Sequence, residues 1–217
     1  MGGAAAVLAA PVFLGAVATG GWRAPGFDQW SSFVSELGAT GSPGAVATNA
    51  AFAIVGACLL VFAAGFGVSL PGLRTIGALL VVPGAAFVVL ALSPCSAGCP
   101  IALVDAGATP ADAVHNAAAT AGLLALSLAA MLMADRAPVG FGPAWFRPFS
   151  AIAGATVGLA GALFGLAVLV RWPGGIALFE RLMLVAAMAW NTVTGGILLR
   201  GGAPSDAPRP RRCPPPP

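Results

Sequence analysis

Six apolar stretches, each long enough to cross a bilayer, leave this chain one class of fold. They fall at about 3–20, 46–68, 75–93, 114–134, 149–170 and 181–199, and none carries Asp, Glu or Arg except at a boundary. A helix needs about 20 apolar residues to span the hydrocarbon core. A strand needs about half that, and backbone groups in lipid must be satisfied within the segment or in a closed barrel. The expected fold is therefore all-α: a polytopic membrane protein of six transmembrane helices in a compact bundle. Charged residues make up 8% of the chain, against about a quarter in soluble domains, too few to cover a water-exposed surface. The basic residues are all arginine and tyrosine is absent, a bias that fits a GC-rich bacterial genome.

Arginines in short loops set the orientation. If both termini share a side, that side holds Arg74, Arg136, Arg147, Arg200, Arg209, Arg211 and Arg212, and the other holds Arg23, Arg171 and Arg181. Both termini are thus expected in the cytoplasm of a bacterial cell, with the first, third and fifth loops facing outward. Those loops and their edges carry Asp28, Glu36, Asp105, Asp112, Glu180 and the single histidine, His115. The first span lacks the positive leader of a signal peptide and reads as a retained helix. Residues 201–217 form a Pro- and Arg-rich tail, expected to be a disordered cytoplasmic segment beside a membrane domain over 1–200.

In the first outer loop, Pro25-Gly26 marks a turn, Asp28 a helix N-cap and Gly38 a helix stop. A short interfacial helix is expected from about Gln29 to Leu37, anchored by Trp22 and Trp30. Asp28, Ser32 and Glu36 recur at four-residue spacing and share one side. Asp28 is accounted for as a cap. Glu36 sits near a helix C-terminus, where a carboxylate opposes the macrodipole, and so it is the leading functional carboxylate.

Pro25-Gly26-Phe27-Asp28, then Ser35-Glu36-Leu37-Gly38-Ala39, then Pro43 and Asn49, resemble the bacterial domain of unknown function 998 family. The resemblance extends to His115 and to Glu180-Arg181-Leu182. It implies a six-helix integral membrane protein and carries no activity with it.

Cys95 and Cys99 flank a Ser-Ala-Gly turn, read as a small disulfide staple in preference to a metal site, which needs two further ligands. Thr109-Pro110-Ala111-Asp112 has the form of a capping box. Asp112 and His115 share a helix face, so either the carboxylate orients the imidazole for proton transfer or His115 is a hydrogen-bonded structural residue at the membrane boundary. Glu180 reads as a cap of the sixth helix. Arg171 and Arg181 suit a lipid phosphate or a place among headgroups, and Asn191 should face the bundle interior. Gly154, Gly158, Gly161 and Gly165 form a small-residue stripe for helix packing within the bundle. Pro83-Gly84 should kink the third helix or free a carbonyl, either bordering a cavity or only shaping the helix.

No phosphate loop, HExxH or haem signature is present, so neither cofactor nor metal is expected. No basic patch with interleaved aromatics points to nucleic acid. Membrane lipids and a hydrophobic small molecule are the expected partners. Three classes of function remain. One is a metal-independent membrane enzyme acting on an isoprenoid or lipid, for example by protonation-initiated terpene cyclisation. Glu36, His115, Asp28 and Asp112 would move protons, and Trp22, Trp30, Trp172, Arg171, Arg181 and Asn191 would hold substrate. The second is a small lipid-binding or transport protein, and the third a non-catalytic accessory protein.

Overall fold

The computed structural model describes residues 1–201, and every regular element among them is helical. The spans are α1 (Gly2–Arg23), α2 (Ala45–Ser69), α3 (Arg74–Leu92), α4 (Pro110–Arg136), α5 (Phe146–Leu169) and α6 (Pro173–Leu199). All six are long and apolar enough to cross a membrane. The 22 residues of α1 cover about 33 Å at ~1.5 Å per residue, enough for a core of about 30 Å. Of the tail expected over 201–217, all but Gly201 lies outside the described residues.

Helices pack in chain order, and α6 returns against α1 to close a ring. This order places the first, third and fifth loops together at one end, here termed the acidic end. The ring is filled by Trp190, Phe62, Phe66 and Phe146, each almost wholly buried. Trp190 Nε1 donates to Ser150 Oγ at 2.7 Å, and that hydroxyl donates to Ala130 O at 2.8 Å. One relay thereby ties α6, α5 and α4 and satisfies a buried indole.

Ring closure depends on a missing side chain. A Cβ on Gly195 of α6 would lie 2.6 Å from Ala6 Cβ and 2.7 Å from Gly3 O of α1. The two backbones meet there with no room for a substituent, as small-residue contacts between membrane helices allow. The stripe on α5 is likewise consumed within the bundle. Gly154 meets Met131 and Ser127 of α4, Gly158 meets Ser127, and Gly161 meets Met183 of α6. Gly165 meets no neighbour within 4 Å.

Two expectations about elements change. The sixth helix begins at Pro173, eight residues earlier than its apolar pattern suggests, so Glu180 lies in its third turn and does not cap it. The first loop holds no interfacial α-helix over 29–37. It has a turn in which the Ser31 and Ser32 amides donate to Asp28 O, followed by a short 3-10 helix, Val34–Gly38. Pro83 sits inside a continuous α3 and borders a small apolar cavity of about 50 Å³ between α2, α3, α4 and α6.

Candidate functional site

The first loop is fastened to the bundle by backbone-directed bonds. Asn49 Nδ2 donates to Gly38 O at 2.9 Å, and the Thr40 amide donates to Cys95 O at 2.8 Å. Leu37 is buried at 1% exposure and seats the 3-10 helix on the core. The Ser-Glu-Leu-Gly run and Asn49 are thus the parts that fold this cap.

Glu36 is the third residue of that 3-10 helix, and its Oε1 accepts the Phe33 amide at 2.9 Å. The carboxylate caps the start of a helix and does not sit opposed to a helix C-terminus, as its spacing suggested. The next amide, Val34, donates to Glu180 Oε2 at 2.7 Å, and the Ser35 amide also faces that carboxylate. Two glutamates 144 positions apart in number (180 − 36) therefore cap successive amides of one loop. Arg181 Nη1 donates to Ser32 O at 3.0 Å and to Ala177 O at 3.1 Å, while its Nη2 is buried without a partner among the described residues. Asp28 is fully occupied by its own turn, accepting from the Trp30 amide at 3.1 Å and the Ser31 hydroxyl at 2.6 Å. The Ser31 hydroxyl first, then the Trp30 amide, hold this exposed carboxyl below its usual range.

The third loop is pinned by the first turns of α4. Asp112 is wholly buried and accepts from the Ser96 amide (2.7 Å), Ser96 Oγ (2.9 Å), the Thr109 amide (2.7 Å) and Thr109 Oγ1 (2.7 Å). The capping box is present as expected, but it also reaches across to the disulfide loop, where Cys95 and Cys99 are bonded. His115 Nδ1 lies 3.0 Å from Ser93 O. A carbonyl only accepts, so Nδ1 carries the proton. Asn116 Nδ2 adds a bond to Pro100 O at 3.0 Å. Asp112 and His115 share a helix face but serve different loop partners. They do not form the carboxylate–imidazole pair expected for proton transfer.

The proposed substrate residues scatter. Trp22 and Trp30 are 86% and 77% exposed, and Trp172 is 54% exposed with its ring edge-on to Phe179. These positions suit an interfacial aromatic belt at the acidic end. Asn191 lines the apolar cavity at Pro83, donates Nδ2 to Ala187 O at 3.0 Å, and has its Oδ1 buried without a partner among the described residues.

One residue of the set, Arg171, lies in a larger cleft of about 260 Å³ built by all three loops at the acidic end. Its apolar walls are Phe33 of the first loop, Ile101 and Val104 of the third, Val168 of α5 and Ile176 of α6. Ser31, Asp105 and Arg171 supply the polar lining. Neither Glu36, Glu180, Asp112 nor His115 lines this cleft or the cavity at Pro83. Among the described residues the only non-glycines with positive φ are Cys99 (φ 44) and Arg171 (φ 52), and both line it.

Arg171 owes its conformation to the end of α5. Its amide donates to Val168 O at 3.1 Å, and the Trp172 amide donates to Ala167 O at 2.9 Å. This is a Schellman turn, in which the left-handed position normally falls to glycine. An arginine there costs about 1 kcal/mol or more, and held strain of this kind concentrates at functional sites. Asp105 was without a motif in the sequence, and its role comes only from the fold: Oδ2 accepts the Ile101 amide at 2.8 Å. The one sequence signal for this cleft was an arginine just ahead of Trp172-Pro173, where a helix-ending glycine is usual.

Six apolar spans with a loop-built, polar-edged cleft at one end define a multi-pass helical membrane protein. The family model described as "Protein of unknown function (DUF998)" matches residues 7–196. The chain belongs to that family, as its first-loop resemblance suggested. Neither a curated protein nor a solved structure matches the chain.

Proposed function

We propose that this protein binds a membrane amphiphile in the cleft at the acidic end. The observation that carries this reading is the coincidence of both left-handed non-glycine residues with the walls of that one cleft. A ligand that contacts Arg171 and the wall at Cys99 gives a use for conformations that folding alone disfavours. The apolar walls suit an acyl or prenyl chain, and the exposed tryptophans beside it put the cleft at headgroup depth. With the termini cytoplasmic, the cleft opens on the outer leaflet.

An acid–base enzyme acting on an isoprenoid draws less support. Glu36, Asp28, Asp112 and His115 each have a loop backbone or hydroxyl partner, and none reaches the cleft. Comparing Glu36→Gln with the parent protein on prenyl substrates separates the two readings, because the binding reading expects no turnover in either.

Filling the cleft tests binding. Ile176→Trp should weaken binding of a fluorescent phospholipid to the detergent-solubilised protein by about tenfold, the effect of losing ~1.4 kcal/mol. Leu128→Trp, on a lipid-exposed face of α4, should leave it unchanged. Equal affinity for both variants would count against the cleft as the binding place.

A further inference from the structure

The cleft contains one cation and one anion that do not neutralise each other. Among the described residues the only ion pair joins Arg136 and Asp135, at 3.8 Å, so Arg171 and Asp105 stand unpaired in the same lining. They are nonetheless close along the wall. Arg171 Nη2 donates to Val104 O at 3.4 Å, the carbonyl next to Asp105. Asp105 makes no ion pair with it, and its Oδ2 accepts the Ile101 amide at 2.8 Å. The guanidinium spends only this one long bond on the protein, and a guanidinium has five N–H donors. A partner that satisfies both groups must carry an anion and a cation a short distance apart, joined to an apolar body that fits the walls at Val168 and Ile176.

We infer that the cleft selects a phospholipid with a zwitterionic headgroup of the phosphoethanolamine class, with the phosphate on Arg171 and the primary ammonium on Asp105. This rests on the binding reading above and goes further by assigning the headgroup. Arginine is well matched to phosphate, which it binds through parallel N–H bonds. An ammonium that can donate hydrogen bonds suits a carboxylate better than a trimethylated one, which is held by aromatic cages. Phe33 is the single aromatic residue in the lining. An anionic headgroup without an ammonium leaves Asp105 facing it as a like charge.

The test is competition for the full-length protein in detergent, read by native mass spectrometry. Dioleoyl phosphatidylethanolamine, phosphatidylglycerol, phosphatidylcholine and dioleoylglycerol are offered at equal concentration. Phosphatidylethanolamine should be preferred over each of the others by about tenfold, the worth of one charge-assisted hydrogen bond. Asp105→Asn should erase the preference over phosphatidylglycerol while phosphatidylglycerol still binds. Arg171→Gly should reduce phosphatidylglycerol and phosphatidylcholine to the level of dioleoylglycerol or below and weaken phosphatidylethanolamine by about tenfold. That variant should unfold at the same temperature as the parent or a higher one, because glycine suits the left-handed position. A purely structural Arg171 would show the gain in stability without the loss of headgroup preference.

Equal binding of all four lipids would overturn the headgroup assignment and leave the binding reading standing. Failure of all four to bind would overturn both. Displacement of the lipid by equimolar soluble phosphoethanolamine would show a free headgroup to be the ligand and would overturn the lipid source.

Discussion

Gly195→Leu is expected to prevent the helix ring from closing. Even one methyl at this position meets Ala6 Cβ at 2.6 Å and the carbonyl of Gly3 at 2.7 Å, and a backbone carbonyl has no rotamer by which to move aside. Overpacking by a methylene or two costs about 1–3 kcal/mol in a close-packed core. A leucine adds several heavy atoms between two helices in contact, so the loss should exceed about 3 kcal/mol. The expected result is little folded protein in membranes and a large fall in unfolding temperature in detergent. Gly195→Ala should lose less, and adding Ala6→Gly should recover part of that loss, since only one of the two contacts is then relieved. A Gly195→Leu protein as stable as its parent would mean that α1 and α6 do not touch at this point.

Asp112→Ala should release the third loop. The carboxylate accepts four hydrogen bonds while wholly buried. Losing an N-cap partner costs about 1 kcal/mol, and leaving two part-buried amides, of Ser96 and Thr109, without their acceptor adds about 1–3 kcal/mol. A destabilisation of about 3 kcal/mol is therefore expected. Asp112→Asn keeps an acceptor oxygen and should lose less. Hydrogen exchange should accelerate through residues 94–105, the segment that supplies Ile101, Val104 and Asp105 to the cleft, so lipid binding should weaken in step. Unchanged exchange in 94–105 would show that His115, Asn116 and the disulfide hold the loop without Asp112.

The spans were legible because hydropathy is a local property: five of the six helices begin and end within about four residues of their apolar runs. The start of α6 was not, because Glu180 and Arg181 look like the membrane edge. Their charges are met by the amides of Val34 and Ser35 and the carbonyl of Ser32, on a loop about 150 residues away, and no local pattern encodes that meeting. The same loop hid the role of Glu36. Its capping partner, the Phe33 amide, exists only because the segment folds as a 3-10 turn and not as the expected helix. The acidic asymmetry of the sequence did mark the end of the bundle where the cleft lies. Most of those acids pin the loops that build the cleft, and Asp105, which no motif surrounds, is the one that lines it.

Lipid occupancy of the cleft is tested most directly by photo-crosslinking. A phosphatidylethanolamine with a diazirine close to its headgroup would be reconstituted with the full chain in vesicles, irradiated, and its adducts located by peptide mass spectrometry. Adducts concentrated in residues 98–105 and 168–176, and lost in Ile176→Trp, are the expected result. An even spread over the lipid-facing surface, with Leu124, Leu159 and Val185 labelled as heavily as the cleft, would contradict a bound amphiphile there.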